Sequence, residues 1–231
     1  MMQRLFLKTA AILLLLAGAV QAAGDMRILA MGDSLMASYK MSGRSISNSI
    51  GQALGQRVEN RATLGARMIY KLPLTGALGM SIPRQFNAGD WDWVVLNGGG
   101  NDLLFGCGCR RCDRKMNKLI SSDGRRGEIP ELVSRLRQSG ARVIYVGYLR
   151  SPGVASPIER CRDEGDELEG RISRLAALDR GIYFLSLAGL VPYGDRSYHG
   201  ADMIHPSRKA SAEIGRMVAD IIAGSRQAQV R

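Results

Sequence analysis

The sequence predicts an α/β fold, with a five-stranded parallel sheet between helices packed on both of its faces. Two observations carry that reading. Short apolar runs alternate with amphipathic stretches along the chain, and no internal repeat or Pro/Ser-rich linker divides it into two bodies.

The elements follow in order. Residues 1–22 are set apart: Arg4 and Lys8 precede an uncharged apolar run, and Val20-Gln21-Ala22 offers small residues at a cleavage site. That pattern is a secretory signal peptide, too short for a comfortable membrane span, and no cysteine follows it to take a lipid anchor. Residues 23–231 then form one domain, exported to the periplasm or secreted, with no stable membrane span after cleavage. The first strand is expected over residues 27–31 and a helix over 45–54, where Ile46, Ile50 and Leu54 recur at four-residue spacing. A short second strand fits residues 57–60, and a buried third strand fits 91–96. A helix over 129–138 carries Leu132 and Leu136 on one face and stops at Gly140. The fourth strand is expected over 142–148. A helix over 166–178 follows, with Leu168, Ile172, Leu175 and Leu178 in one stripe, of which Leu168, Ile172 and Leu175 read as core. The fifth strand spans 182–187 and a closing helix 210–222.

The net charge is +11, with basic residues gathered at Arg110, Arg111, Arg114, Lys115 and Lys118, then Arg125 and Arg126. This excess bears on solubility and partners rather than on fold, and it reads first as a solvated basic face. An exported chain with 6% aromatic residues and no recognisable nucleic-acid motif is not a nucleic-acid binder. An anionic glycan or a lipid headgroup is the partner class the charge would suit.

The four cysteines are Cys107, Cys109, Cys112 and Cys161. A structural zinc site usually brings paired ligand arms from two sides, and here only Cys161 answers the cluster, so no metal is expected. In an oxidising compartment an even count favours two disulfides. Three pairings are possible, and one cysteine of the cluster must reach Cys161.

In a parallel sheet the ligand sits beyond the carboxyl ends of the strands. Gly32-Asp33-Ser34-Leu35 stands past the first strand, and it reads either as a bend with a helix cap or as a serine raised out of the sheet edge. Ala62-Thr63-Leu64-Gly65 follows the second strand. Asn97-Gly98-Gly99-Gly100-Asn101-Asp102 follows the third, without the Gly-Lys-Ser/Thr ending of a P-loop. Asp202-Met203-Ile204-His205-Pro206 precedes the last helix. The chain's two histidines, His199 and His205, both lie in this last region.

Taken in order, Gly32-Asp33-Ser34-Leu35, Gly65, Gly99-Gly100-Asn101-Asp102 and Asp202-Met203-Ile204-His205-Pro206 resemble the sequence blocks of the SGNH (GDSL) hydrolases. The resemblance runs from Ile28 to Pro206; the Gly65 block rests on one glycine. It implies a three-layer α/β/α, flavodoxin-like fold and hydrolysis of acyl esters or thioesters without a cofactor. It assigns Ser34 as nucleophile, His205 as the base, and Asp202 as the group that orients the imidazole. The oxyanion hole would comprise the backbone N–H groups of Ser34 and Gly65 and the side-chain amide of Asn101. Asp33 and Asp102 are expected to brace loops, and His199 to be a surface or rim residue. The cysteine-rich segment after Asp102 departs from the family pattern. Pinned to Cys161, it would form a basic flap beside the oxyanion loop, with Arg110, Arg111 and Arg114 favouring an anionic or glycan substrate. The activity expected is an exported serine esterase acting on short-chain O-acyl groups of a glycan or small ester. A lysophospholipase, thioesterase or acyltransferase is the enzymatic alternative, and a non-catalytic cell-envelope binding module the other.

Overall fold

The computed structural model describes residues 25–154 and 156–227. The expected leader at residues 1–22 lies outside them. Five parallel strands form one sheet in the order β2-β1-β3-β4-β5: β1 (Ile28–Met31), β2 (Val58–Asn60), β3 (Trp93–Leu96), β4 (Arg142–Val146) and β5 (Ile182–Leu185). Ile28 pairs with both Val58 and Trp93, and Trp93 in turn with Arg142, so the central strands end nearly level.

Side chains alternate across a strand, so each buried strand feeds two cores. Leu29, Met31, Val94, Leu96, Val143 and Tyr145 point to one face. There they meet α7 (Glu128–Gln138), through Ile129, Leu132 and Leu136, and α8 (Arg162–Ala176), through Leu168, Ile172 and Leu175. Ile28, Trp93, Val95, Ile144 and Val146 point to the other face, where they meet α2 (Ile46–Leu54) and the closing helix α9 (Arg208–Gln227). Three layers result, as expected. Each fully buried Leu, Ile or Val contributes about 1.5–3 kcal/mol, so this two-sided burial is the main source of stability.

Local signals set the helix ends. Ser45 caps α2 and forms a reciprocal capping box with Asn48, and Gly55 closes the helix in the left-handed conformation. The α8 helix begins four residues before its expected start, where Asp163 and Glu164 occupy a first turn that favours negative charge. Among the described residues, two 3-10 turns (Glu159–Cys161 and Arg196–Tyr198) and six further short elements complete the path. The six are α1 (Ser34–Ala37), α3 (Pro73–Thr75), a five-residue π-turn (Gly76–Met80), α4 (Ile82–Gln85), α5 (Gly100–Gly106) and α6 (Asp113–Leu119). The last two flank and carry the cysteine-rich segment expected as a basic flap; buried Leu103, Met116 and Leu119 hold them to the core. The disulfides are Cys107–Cys112 and Cys109–Cys161, so Cys109 is the cysteine that reaches the distant partner.

Candidate active site

The turn after β1 is built around Gly32. Its φ of +146° suits glycine, and a Cβ there would fall 1.9 Å from Asn97 Oδ1, so no side chain fits. The Gln85 side chain pins this residue from both sides: Gly32 N–H donates to Gln85 Oε1 (2.7 Å), and Gln85 Nε2 donates to the Gly32 carbonyl (2.9 Å). Asp33 is the N-cap of α1, accepting from Leu35 N–H at 3.0 Å, and Ser34 is that helix's first residue. The helix-cap reading of this stretch therefore holds: Asp33 is the cap, and it stands directly before Ser34.

Asp33 is buried, with 1% of its surface exposed. Burial pushes its carboxyl above the usual range, and hydrogen bonds from the Tyr148 hydroxyl (2.5 Å), Asn97 Nδ2 (2.8 Å) and Leu35 N–H oppose that push. Burial, together with the nearby Asp33 charge, drives the Tyr148 phenol well above its ordinary value, so Tyr148 remains the donor. The same hydroxyl accepts from Gly100 N–H at 2.9 Å. A Cβ at Gly100 would stand 2.7 Å from the Tyr148 ring, so the glycine permits the contact. One phenol thus joins the end of β4 to the turns after β1 and β3.

Asp102, also expected as a brace, accepts from Met68 N–H and Ile69 N–H, both at 2.9 Å, and burial raises its carboxyl to about 6 despite those bonds. Asn101 Nδ2 donates to the Ala66 carbonyl at 3.0 Å. The first turn of α5 therefore holds the Gly65 loop through two adjacent side chains. One amide proton of Asn101, the Ser34 N–H and the Gly65 N–H have no partner among the described residues. These are the three donors the resemblance assigns to the oxyanion hole.

The fourth loop is compact. Asp202 Oδ1 accepts from Ile204 N–H and His205 N–H, each at 3.0 Å, and Oδ2 lies 2.5 Å from His205 Nδ1. Met203 makes this turn possible with φ +57°, a conformation costing roughly 1–2 kcal/mol, while its side chain is buried. Partial burial would raise the Asp202 carboxyl, but the hydrogen bonds from the His205 ring and from the two backbone N–H groups outweigh it and hold it at about 2. The carboxylate fixes the ring through Nδ1; Nε2, like Ser34 Oγ, has no partner among the described residues.

Ser34, Asn101 and His205 line one pocket of about 380 Å³. Gly65 is not part of its wall; it lies beside the Ala66 carbonyl that Asn101 holds. Loops after β1, β3, β4 and β5 all contribute, as strand-end geometry requires. Leu149, Pro152, Ile158 and Val191 form, with Ile204 of the Asp202–Pro206 block, an apolar wall; no motif in the sequence marked the first four, and only their positions past strand ends hinted at them. Cys109 and Cys161 line the pocket too, so the disulfide is part of the wall.

Two expectations need correction. Arg110, Arg111 and Arg114 are exposed and stand outside the pocket wall: in the Cys107–Cys112 loop Cys109 and Cys112 are buried while Arg110 and Arg111 face solvent, and Arg114 stands on the exposed side of α6. The arginines that do line the pocket are already paired: Arg150 with Asp166 (2.6 Å) and Glu169 (2.8 Å), and Arg162 with Glu159. His199 is not a rim residue. A backbone bridge to Pro206 folds it under the loop, leaving 6% exposed and both ring nitrogens without partners among the described residues. Desolvation lowers its pKa, which favours the neutral ring.

The sequence model of the GDSL-like lipase/acylhydrolase family matches residues 30–212. No curated protein matches the chain in sequence. Among solved structures, similarity extends to Est24, a carbohydrate acetylesterase from Sinorhizobium meliloti (17% identity, TM-score 0.60, covering 87% of this chain and 99% of that one). It extends also to the inhibitor-bound aryl esterase of M. smegmatis (18% identity, TM-score 0.62, covering 86% and 99%). A family two carbohydrate esterase from Clostridium thermocellum, in complex with cellohexaose, matches at 18% identity and TM-score 0.58, covering 87% of this chain and 65% of that one. At such identities these likenesses speak for the fold.

Proposed function

The chain belongs to the GDSL-like lipase/acylhydrolase family, serine hydrolases of ester bonds, and from that premise we propose that it is an exported esterase removing short acyl groups from a glycan or small ester. Ser34 Oγ attacks the ester carbonyl while His205 Nε2 takes its proton. Asp202, held ionised, keeps the proton of neutral His205 on Nδ1 and stabilises the imidazolium once it forms. The carbonyl oxygen gains negative charge in the tetrahedral intermediate, for which the unpaired donors of Ser34, Gly65 and Asn101 are available. His205 then protonates the leaving alcohol, and water releases the acid from Ser34 by the same steps.

The observation that carries this reading is that Ser34, Asn101 and the Asp202-bound His205 meet at one pocket although they lie on three separate loops. A short acyl group on a glycan fits a site whose flanking arginines are neutralised. The carbohydrate esterases among the structural neighbours lend that choice weight. The apolar wall of Leu149, Ile158, Val191 and Ile204 favours a second reading, in which the acyl group is longer. Hydrolysis of p-nitrophenyl esters from acetate to longer chains, by the protein and its Ser34→Ala variant, decides between them. Loss of Ser34 is expected to lower turnover by at least about 10⁴-fold. An acetate optimum supports deacylation of a glycan, and a longer-chain optimum supports the second reading. Activity that survives in Ser34→Ala overturns the proposed nucleophile.

A further inference from the structure

The segment from Leu64 to Leu78 exposes an unusual amount of hydrocarbon. Leu74 is 82% exposed and Leu78 is 79% exposed, and Leu64 and Leu72 are also well above half. Leu74 in α3 and Leu78 in the following π-turn are four residues apart, a spacing that brings side chains to one side of a helical turn. Phe105, on the helix that carries Asn101, is 61% exposed, and the Arg67 guanidinium lies over its ring at 5.3 Å. The two parts are tied together by the Asn101–Ala66 and Asp102–Met68 hydrogen bonds. Scattered exposed leucines need no explanation; four in one short segment, adjoined by a phenylalanine, do.

The charged side chains that this segment itself carries have one sign. Residues 61–89 contain no acidic side chain, while Arg67, Lys71 and Arg84 flank the leucines. Arg84 donates to the Pro73 carbonyl at 2.9 Å, which sets its cation against α3 between Leu72 and Leu74. On the Phe105 side the chain continues into exposed Arg110, Arg111 and Arg114. A second copy of this chain is a poor occupant, because facing copies would bring cations against cations. Hydrocarbon framed by cations matches the boundary of an anionic bilayer, where headgroups meet the charges and acyl chains meet the leucines.

We propose that this face is a docking surface for an anionic lipid bilayer. Phe105 follows Leu104, which lines the pocket, and the leucine segment begins beside Gly65; docking there brings the pocket mouth beside the membrane surface. Among the described residues no helix is long and apolar enough to cross a membrane.

The test is co-sedimentation of the purified protein with vesicles of equal parts phosphatidylglycerol and phosphatidylcholine, alongside vesicles of phosphatidylcholine alone. Binding is expected on the mixed vesicles only, weakening as salt rises. The double variant Leu74→Asp/Leu78→Asp is expected to bind about tenfold less tightly, through lost burial and added repulsion. Its hydrolysis of soluble p-nitrophenyl acetate should match wild type, which certifies the fold and keeps this outcome separate from that of the esterase reading. Equal binding by variant and wild type, equal binding to both vesicle types, or none at all overturns the proposal. So does self-association in sedimentation velocity that the double variant abolishes, since that assigns the face to a second copy.

Discussion

The Tyr148 hydroxyl donates to Asp33 Oδ2 at 2.5 Å and accepts from Gly100 N–H at 2.9 Å, although Asp33 and Tyr148 lie 115 residues apart. Through that pair the end of β4 fixes the capping residue that precedes Ser34 and the helix start that precedes Asn101. The positions of Ser34 and of the Asn101 amide therefore depend on a side chain that is hydrogen-bonded to neither.

Tyr148→Phe leaves a buried carboxylate oxygen and a backbone N–H without their partner. The expected cost is about 1–3 kcal/mol of stability, seen as a lower melting temperature. Turnover on p-nitrophenyl acetate should fall more than KM rises, because the loss is one of alignment. An unchanged kcat would show that Asn97 and Gln85 hold the turn unaided.

Asp202→Asn keeps a side chain of the same shape but removes the charge that faces His205. Turnover is expected to drop by about two to four orders of magnitude. The wild-type carboxyl sits at about 2, below its ordinary 3.8. Its stabilising contribution is complete above 3.8 and is lost only as pH falls from there towards 2. Asp202 thus stays charged through the neutral range, and the variant should remain slower than wild type at every pH in it, as a pH–rate profile would show. A deficit that closes with rising pH would contradict this role.

Asp102 has the opposite sign. Its carboxyl is raised from 3.8 to about 6, so the folded state holds the proton more tightly than the unfolded chain does. The stabilisation is full below 3.8 and is lost as pH rises to about 6. Asp102→Asn should melt lower throughout, since an amide nitrogen would face a backbone donor, but the gap to wild type should narrow between about pH 4 and pH 7. Parallel melting curves across that range would show that Asp102 does not hold its proton.

Cys109→Ser/Cys161→Ser opens a loop of sequence separation 52. In the chain-entropy picture the loss is about 4 kcal/mol, measurable as a lower urea midpoint. Because both cysteines line the pocket, KM for longer-chain esters should rise more than KM for acetate. Equal shifts would mean the bridge stabilises the fold without shaping the wall.

Much of this protein is legible in its sequence because the relevant signals are local. Alternating apolar and amphipathic runs determine the parallel sheet and its two helical layers, since each buried face must be covered by the next segment. Asp202 and His205 pair across two intervening residues, and the Gly32–Ser34 turn carries its own cap, so both could be read from short stretches. Even the membership of Cys161 in a disulfide followed from parity. The rest was decided by tertiary structure. Which cysteine reaches Cys161, the burial of His199, the outward aim of Arg110, Arg111 and Arg114, and the bracing of Asp33 by Tyr148 all depend on which segments the sheet order β2-β1-β3-β4-β5 places side by side. A residue's type states what it can bond to; only packing across more than a hundred residues determines which partner arrives and whether water is left to compete.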